Sequence, residues 1–455
     1  MDFSSILKEI KPTESEQSEI SKVSRDILDY LSYECKSRDI NAQVFLVGSV
    51  AKGTYLKGKS DIDVFIAFPL DTPQEELKET GLILGYSCCN HFKGKASEHY
   101  ASHPYVTCEI NNFEVDFVPC YRIHDGSELK SAVDRTILHT IYIKKHLDEY
   151  QKDEVLLLKR LMDMTGTYGS EFKVGGFAGY LCELLILKYG TFENTLIQAS
   201  KWEYGEVIDL ENYGTSKLFK DPLIVIDPTD KNRNVAAALR LDKMAEFIQA
   251  SRNYLGSDKK IDYFYPIKKN ISKNTIIETF KKRGSDVIAI KFNIPDIPID
   301  TLHPQLKKTE SSIADNLNKN HFNVFNYGYW SDEETTAIFL FEMANSKLNK
   351  VDINIGPKIF YKKACKRFIK AHGIENCFIK EDYLVEKINR KYSKATDFIT
   401  NLLKPENITK IKVGKNLTEN ILNSYSFVKL EELELTEDFW SFCDDIITPG
   451  QYIRR

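Results

Sequence analysis

Residues 44–68 read VFLVGSVAKGTYLKGKSDIDVFIAF. The pattern predicts a strand, a tight turn at Gly48-Ser49, a short helical segment, a second turn and a second strand. The second strand opens on Asp61-Ile62-Asp63. Strand side chains alternate between faces, so Asp61 and Asp63 share one. Two carboxylates on one face repel unless something neutralises them. A divalent cation does so, and magnesium suits the arrangement because it takes oxygen ligands and shares its shell with substrate phosphates. The neighbours fit phosphate on such a metal. Gly48 permits close backbone approach, Ser49 brings a hydroxyl, amides at the turn can hold an anion, and Lys52 adds positive charge. D-x-D alone is more often a solvated strand start; the strand–Gly-Ser–helix–strand–D-x-D assembly is far more specific.

A third carboxylate follows near Asp116. Tyr105–Pro119, YVTCEINNFEVDFVP, reads as a hairpin turning at Asn111-Asn112, since Asn tolerates the positive φ of a two-residue turn. In its second arm Phe113, Val115 and Phe117 share one face, and Glu114, Asp116 and Val118 the other. Asp116 is flanked by apolar residues, an odd place for a carboxylate without a partner. A metal held by Asp61, Asp63 and Asp116 explains it.

This Gly-Ser…D-x-D…Asp pattern resembles the nucleotidyltransferase superfamily of DNA polymerase beta and the poly(A) polymerases. Within it the chain looks like the archaeal (class I) CCA-adding enzymes, the tRNA nucleotidyltransferases that build the 3′-terminal CCA. The carrying stretches are GSVAKGTYLKGKSDIDVFIAFP (48–69), VDFVPCY (115–121), DRTILHTIYIKKHL (134–147), DEVLLLKRLMDMTGTYGSE (153–171), GGFAGYLCELLILKYGTF (175–192) and IDPTDKNRNVAAAL (226–239). They cover much of the first 240 residues in the family's order, and the C-terminal part matches more loosely.

The resemblance implies an α+β multidomain fold: a polymerase-beta-like catalytic sheet with helices (1–133), a mainly helical nucleotide-binding domain (134–256), a C-terminal α+β domain of RRM or ferredoxin-like type (257–375) and a tail (376–455). It implies two Mg2+ ions among Asp61, Asp63 and Asp116, with CTP and ATP as substrates and the tRNA 3′ end as primer. Gly48, Ser49 and Lys52 would meet the phosphates from one side. His139, Lys159 and Tyr168 would contact the triphosphate from the helical side. Read alone, these three are an ordinary helix histidine, a solvated lysine and a turn aromatic. Base selection would fall to 221–250, with Arg233 its leading residue and Asp227 orienting it; read alone, Arg233 is a turn arginine bonding Asp227 or Asp230. A homodimer is also what the family suggests. Two positions depart from the family pattern: Lys52 stands where relatives often have Arg, which loses bidentate phosphate geometry but keeps charge, and Asp61 where some have Glu.

The bulk properties agree with such an enzyme. With 455 residues the chain exceeds one core. It is 42% apolar and 28% charged, with no run approaching the roughly 18 apolar residues of a membrane span and no secretory signal at its start. Nine cysteines without C-x-x-C spacing point to reduced thiols and a cytoplasmic setting. Cys88, Cys89, His91, His99, His103 and Cys108 match no zinc spacing. A net charge of −4 means that any RNA contact rests on local basic patches.

Local signals place the elements. Residues 13–38 form an amphipathic helix opened by a Thr13/Glu16 capping box, and 72–86 a crossover helix. Helices are expected at 134–147, 153–164 and 178–189, and from Val235 onward with Arg233 at its start. A boundary falls near 256–275. Beyond it, strands at 286–294, 322–330 and 336–343 and helices at 304–320 and 358–370 are expected. Two basic clusters, Lys281-Lys282-Arg283 and Lys362, Lys363, Lys366, Arg367 and Lys370, are candidate RNA-phosphate contacts.

Two rival readings stand beside this one. Another superfamily enzyme, a poly(A) polymerase or an oligoadenylate synthetase, is disfavoured by the motifs at 134–171 and 226–239. A non-catalytic RNA-binding protein is disfavoured by retention of all three carboxylates.

Overall fold

A computed structural model describes residues 2–100, 104–171, 173–267, 269 and 271–454; His103 lies outside them. The chain forms two compact units, residues 1–267 with 452–455, and residues 268–451.

The first unit begins with a short helix, Ser4–Ile10, followed by the helix Glu14–Ser37, whose Thr13/Glu16 capping box is formed. Five strands follow: β1 (Gln43–Val47), β2 (Ile62–Phe68), β3 (Lys95–Tyr100), β4 (Pro104–Ile110) and β5 (Phe113–Tyr121). They make one sheet in the order β1-β2-β5-β4-β3. β1 runs antiparallel to β2, and β2 parallel to β5 through the crossover helix Gln74–His91. Asn111 and Asn112 take φ of 51° and 65°, the conformation a two-residue hairpin turn requires. The turn sets the register Ile110↔Phe113 through Thr107↔Asp116. Ile62, Val64, Ile66, Val115 and Phe117 then fall on the face covered by the helices and are fully buried. Each such side chain contributes roughly 1.5–3 kcal/mol.

Beside the sheet lie the helices Arg135–His146, Glu149–Met164, Gly179–Tyr189, Phe192–Ala199 and Leu241–Gly256. Leu157, Leu158, Leu161, Phe177, Leu184, Leu185 and Phe247 belong to their shared core. A small sheet of β6 (Glu206–Asp209), β7 (Leu223–Asp227) and β8 (Asp230–Asn234) completes the unit. Here the sequence reading needs correction. Arg233 is not at a helix start but on β8, and the helix begins only at Leu241. The reason is Asn234, whose side-chain oxygen accepts from the backbone amides of Val225 and Ala236 and holds the hairpin closed.

The second unit has a sheet of β9 (Asp286–Asn293), β10 (Val324–Ser331), β11 (Thr336–Met343) and the late strand β15 (Ser426–Val428), in the order β10-β11-β9-β15. Its long helix spans Ile299–Lys319, five residues more at its start than the Pro304 expected as a helix opener, so Pro304 sits inside it. A separate sheet, unforeseen from the sequence, joins β12 (Val351–Lys358), β13 (Cys377–Lys380) and β14 (Tyr383–Asn389). Its helix is Lys362–His372 rather than 358–370.

The two basic clusters differ. Lys281 pairs with Glu431 and Lys282 with Glu278, while Arg283 grips both oxygens of the buried Glu342 at 3.1 Å. Of this cluster Arg283 is committed inside the unit, while Lys281 and Lys282 stay exposed in surface pairs. Lys362, Lys363, Lys366, Arg367 and Lys370 are all exposed.

The cysteines depart from the expectation of uniformly reduced thiols: Cys89 and Cys108 form a disulfide. Gly94 makes room for it, since a Cβ there would lie 2.4 Å from Cys108 Sγ. Among the described residues no helix is long and apolar enough to cross a membrane.

Candidate active site

Asp63 on β2 is paired in register with Asp116 on β5. Neighbouring strands lie about 4.8 Å apart, so the two carboxylates stand side by side on one face. Asp61 immediately precedes β2 and is exposed. β1 brings Val47 opposite Asp63, so Gly48 meets that carboxylate directly. A Cβ on Gly48 would sit 1.8 Å from Asp63 Oδ2, and its φ is +71°. On the other side Thr107 Oγ1 donates to Asp116 Oδ1 at 2.6 Å.

Burial, then Asp116 and Asp61, push the Asp63 carboxyl up to about 7. Burial, with help from Asp61, also raises Asp116 against the Thr107 hydrogen bond. The three carboxylates do not close into a cage: among the described residues, no three His, Cys, Asp or Glu side chains are gathered as a metal site. An open, anionic, oxygen-only array fits a divalent ion that completes its shell with substrate oxygens.

The raised carboxyl has a measurable consequence. Asp63's folded pKa lies above its ordinary 3.8, so its protonation favours the folded chain. That stability is present at low pH and is lost as pH rises toward 7. Chelator-treated wild type should lose stability relative to Asp63→Asn between pH 5 and 7, by on the order of 1 kcal/mol per pH unit, with the gap level above 7. Denaturant melts across that range check it, and a gap independent of pH contradicts it.

The second cluster holds the lysines. Lys52 ends the short helix Gly48–Lys52, with Ser49 half-buried in its first turn. Lys159 is buried in the helix Glu149–Met164, so it is no solvated lysine. Both meet Glu183, a fully buried carboxylate on Gly179–Tyr189. Lys52 Nζ donates to its Oε2 at 2.6 Å, Thr54 Oγ1 to its Oε1 at 2.6 Å, and Lys159 Nζ lies 3.7 Å from Oε1. Burial opposes charge on Glu183, but the two lysines and these hydrogen bonds hold its carboxyl below the usual range. The Tyr168 hydroxyl and Lys159 Nζ approach within 3.3 and 3.4 Å of where a Gly179 Cβ would be.

The third cluster surrounds Asp227, fully buried at the end of β7. His139 Nε2 and Arg233 Nη1 each lie 2.8 Å from its Oδ2. The Thr229 amide and hydroxyl donate to Oδ1 at 2.9 Å, and Tyr180 at 3.3 Å. Burial opposes the charge, but His139, Thr229 and Arg233 hold this carboxyl well below the usual range. Burial lowers the His139 pKa against the pull of Asp227. The Tyr180 ring stacks on His139 with centroids 4.0 Å apart, and Lys52 Nζ lies 5.7 Å from the centroid of the Tyr180 ring.

The carboxylates and nucleotide-site residues singled out in the sequence therefore fall in three groups of the first unit. Four participants were missed. Thr107 was legible from the hairpin register. Glu183 had a weak signal, as the one acid in the run GYLCELLILKYG. Thr54 and Tyr180 carried none.

The comparisons with known proteins agree along the whole chain. The nucleotidyltransferase domain model matches residues 28–139, the second domain of tRNA nucleotidyltransferase 153–265, and the C-terminal domain of the CCA-adding enzyme 283–429. The CCA-adding enzyme of Methanothermobacter thermautotrophicus is 46% identical over 457 aligned residues, covering 100% of this chain and 99% of that one. That of Methanosarcina barkeri is 35% identical, over 93% of this chain and 92% of its own. That of Methanocaldococcus jannaschii is also 35% identical, over 90% and 92%. Identity at this level from end to end, with the three domain models in order, places the chain in one family: it belongs to the archaeal CCA-adding enzymes, the tRNA nucleotidyltransferases.

Proposed function

We propose that this chain adds and repairs the 3′-terminal CCA of tRNA without a template, using CTP and ATP and releasing pyrophosphate. The observation that carries the reading is the in-register Asp63–Asp116 pair, with Gly48 against it and a buried two-lysine cluster beside it. In our reading residues 1–133 hold the catalytic carboxylates, 134–256 the nucleotide, and the remainder the RNA, in a cytoplasmic setting.

Asp61, Asp63 and Asp116 would hold divalent metal, two magnesium ions in this proposal, which would supply activation of the primer hydroxyl and charge compensation for the triphosphate and leaving pyrophosphate. Asp116 serves the primer side, where Thr107 fixes its rotamer. Ser49 and Lys52 hold phosphates from the sheet, and Lys159 and Tyr168 from the helices. His139 plays a narrower part. Burial favours its uncharged ring, and with Nε2–H donating to the ionised Asp227 its Nδ1 is left an acceptor. That suits a ribose hydroxyl rather than a phosphate.

Arg233 presents the rest of its planar fork to the base, oriented by Asp227. Arg233→Ala should reduce the kcat/KM preference for CTP over UTP by about tenfold or more; an unchanged ratio removes Arg233 from base selection. The exposed Lys362–Lys370 face contacts the tRNA backbone without reading sequence.

The test of the assignment uses metal-stripped protein, tRNA ending at the discriminator base, and labelled CTP. Magnesium should restore incorporation and pyrophosphate release in equal amounts. Incorporation in the continued presence of chelator contradicts the carboxylate roles.

A further inference from the structure

Glu183 is the one carboxylate of the helix Gly179–Tyr189, and none of its surface reaches solvent. Its oxygens are taken by groups from two other segments: Lys52 and Thr54 beside the catalytic sheet, and Lys159 from Glu149–Met164. Lys159 Nζ also donates to the Thr54 carbonyl at 2.8 Å. Two ammonium groups on one carboxylate leave a net positive charge in a nearly dry place. Such clusters are poor sources of stability, since well-packed apolar side chains of similar volume often do as well or better. An uncompensated buried charge is costly, so the arrangement makes sense when an anion completes it. Nucleotide phosphates are such an anion.

We propose that Glu183 is a positioning residue that holds Lys52 and Lys159 side by side at the spacing of a triphosphate, setting nucleotide affinity without touching the nucleotide. The inference rests on the assignment of Lys52 and Lys159 to the triphosphate made above. Thr54 acts with it, fixing one oxygen of Glu183 and, through its carbonyl, Lys159. The carboxylate also favours the charged form of Lys159. Burial pulls the Lys159 pKa down, and Glu183 is the first group opposing it; Lys52 lowers it further and Cys182 raises it. Around Lys52 stand Asp63, Tyr180 and His139, and Tyr168 borders Lys159.

The test compares wild type with Glu183→Gln, which keeps the shape and removes the charge. KM for CTP should rise about tenfold or more, and the inhibition constant of inorganic tripolyphosphate by a similar factor. kcat, the KM for tRNA and inhibition by cytidine, which lacks phosphates, should change little. The alkaline limb of kcat/KM for CTP should move to lower pH, because Lys159 loses its proton sooner. A merely structural role lowers the active fraction and leaves the tripolyphosphate constant and the alkaline limb in place. Glu183→Asp, which keeps the charge, should recover part of the affinity.

Should Glu183→Gln not fold, Thr54→Val decides. A rise of about two- to fivefold in KM for CTP alone supports the role, and no rise overturns it. If wild type incorporates CTP and is inhibited by tripolyphosphate, yet Glu183→Gln keeps the same constants, the inference is wrong and the triphosphate assignment stands. If tripolyphosphate does not inhibit an active wild type, the triphosphate assignment itself fails, and this inference with it.

Discussion

Asp63→Asn and Asp116→Asn should each lower CTP incorporation by roughly three orders of magnitude or more, with the fold intact. The size follows from what the carboxylates are for. Each is an anionic oxygen donor in a site whose charge stays unbalanced until cation and substrate arrive, and Asn supplies neither the charge nor two equivalent oxygens. The variants separate chemistry from folding. Asp63 and Asp116 stand side by side and both carboxyls are pushed up by burial and by their neighbours, so neutralising either relieves repulsion in the metal-free chain. Asp116→Asn keeps a side-chain oxygen for Thr107, whose hydroxyl donates to Asp116 Oδ1 at 2.6 Å. Melting temperature in chelator should therefore hold or rise while single-turnover incorporation collapses. Activity within tenfold of wild type in either variant removes that carboxylate from the reaction.

Gly48→Ala should be the most damaging change at a residue without a functional group. Its Cβ would overlap Asp63 Oδ2, at 1.8 Å, and its φ of +71° is one that alanine adopts only with strain. The backbone term costs about 1–2 kcal/mol. The steric term has two outlets: Asp63 rotates away, or β1 separates from β2. Either moves the carboxylate by about an ångström, a displacement that can cost 100-fold in rate. Incorporation should fall at least that far, with a modest loss of stability. Near-normal activity would mean that Asp63 has freedom which its packing against Gly48 does not suggest.

How much of this was legible in the sequence depended on the range of the interaction. Alternation on a strand is local: it set Asp61 with Asp63, and on the hairpin arm it marked Asp116 as a carboxylate among apolar neighbours. The Asn111-Asn112 turn is local too, and counting back from it pairs Thr107 with Asp116. The parallel pairing of β2 with β5, which brings Asp63 beside Asp116, passes through an 18-residue helix and leaves no local mark. Glu183 is harder again, since its partners Lys52 and Lys159 come from distant segments. Competing local signals produced the errors. The run NVAAAL after Arg233 is rich in helix formers, yet the Asn234 side chain holds a hairpin there. β12 was missed although Val351, Ile353 and Ile355 alternate with polar residues; in the structure these three are exposed.

The central claim is CCA synthesis by this site, and the most direct test is sequencing of product 3′ ends. tRNA transcripts ending at the discriminator base, at C and at CC would be incubated with wild-type protein and magnesium, supplied with CTP, ATP or both. The account predicts that CTP alone adds two C, one C and none to the three transcripts in turn, that ATP alone adds A only to the transcript ending in CC, and that both together give CCA with a clean stop. An extended A tail from ATP alone would place the chain among the poly(A) polymerases. No addition to any transcript by folded protein would contradict the account outright.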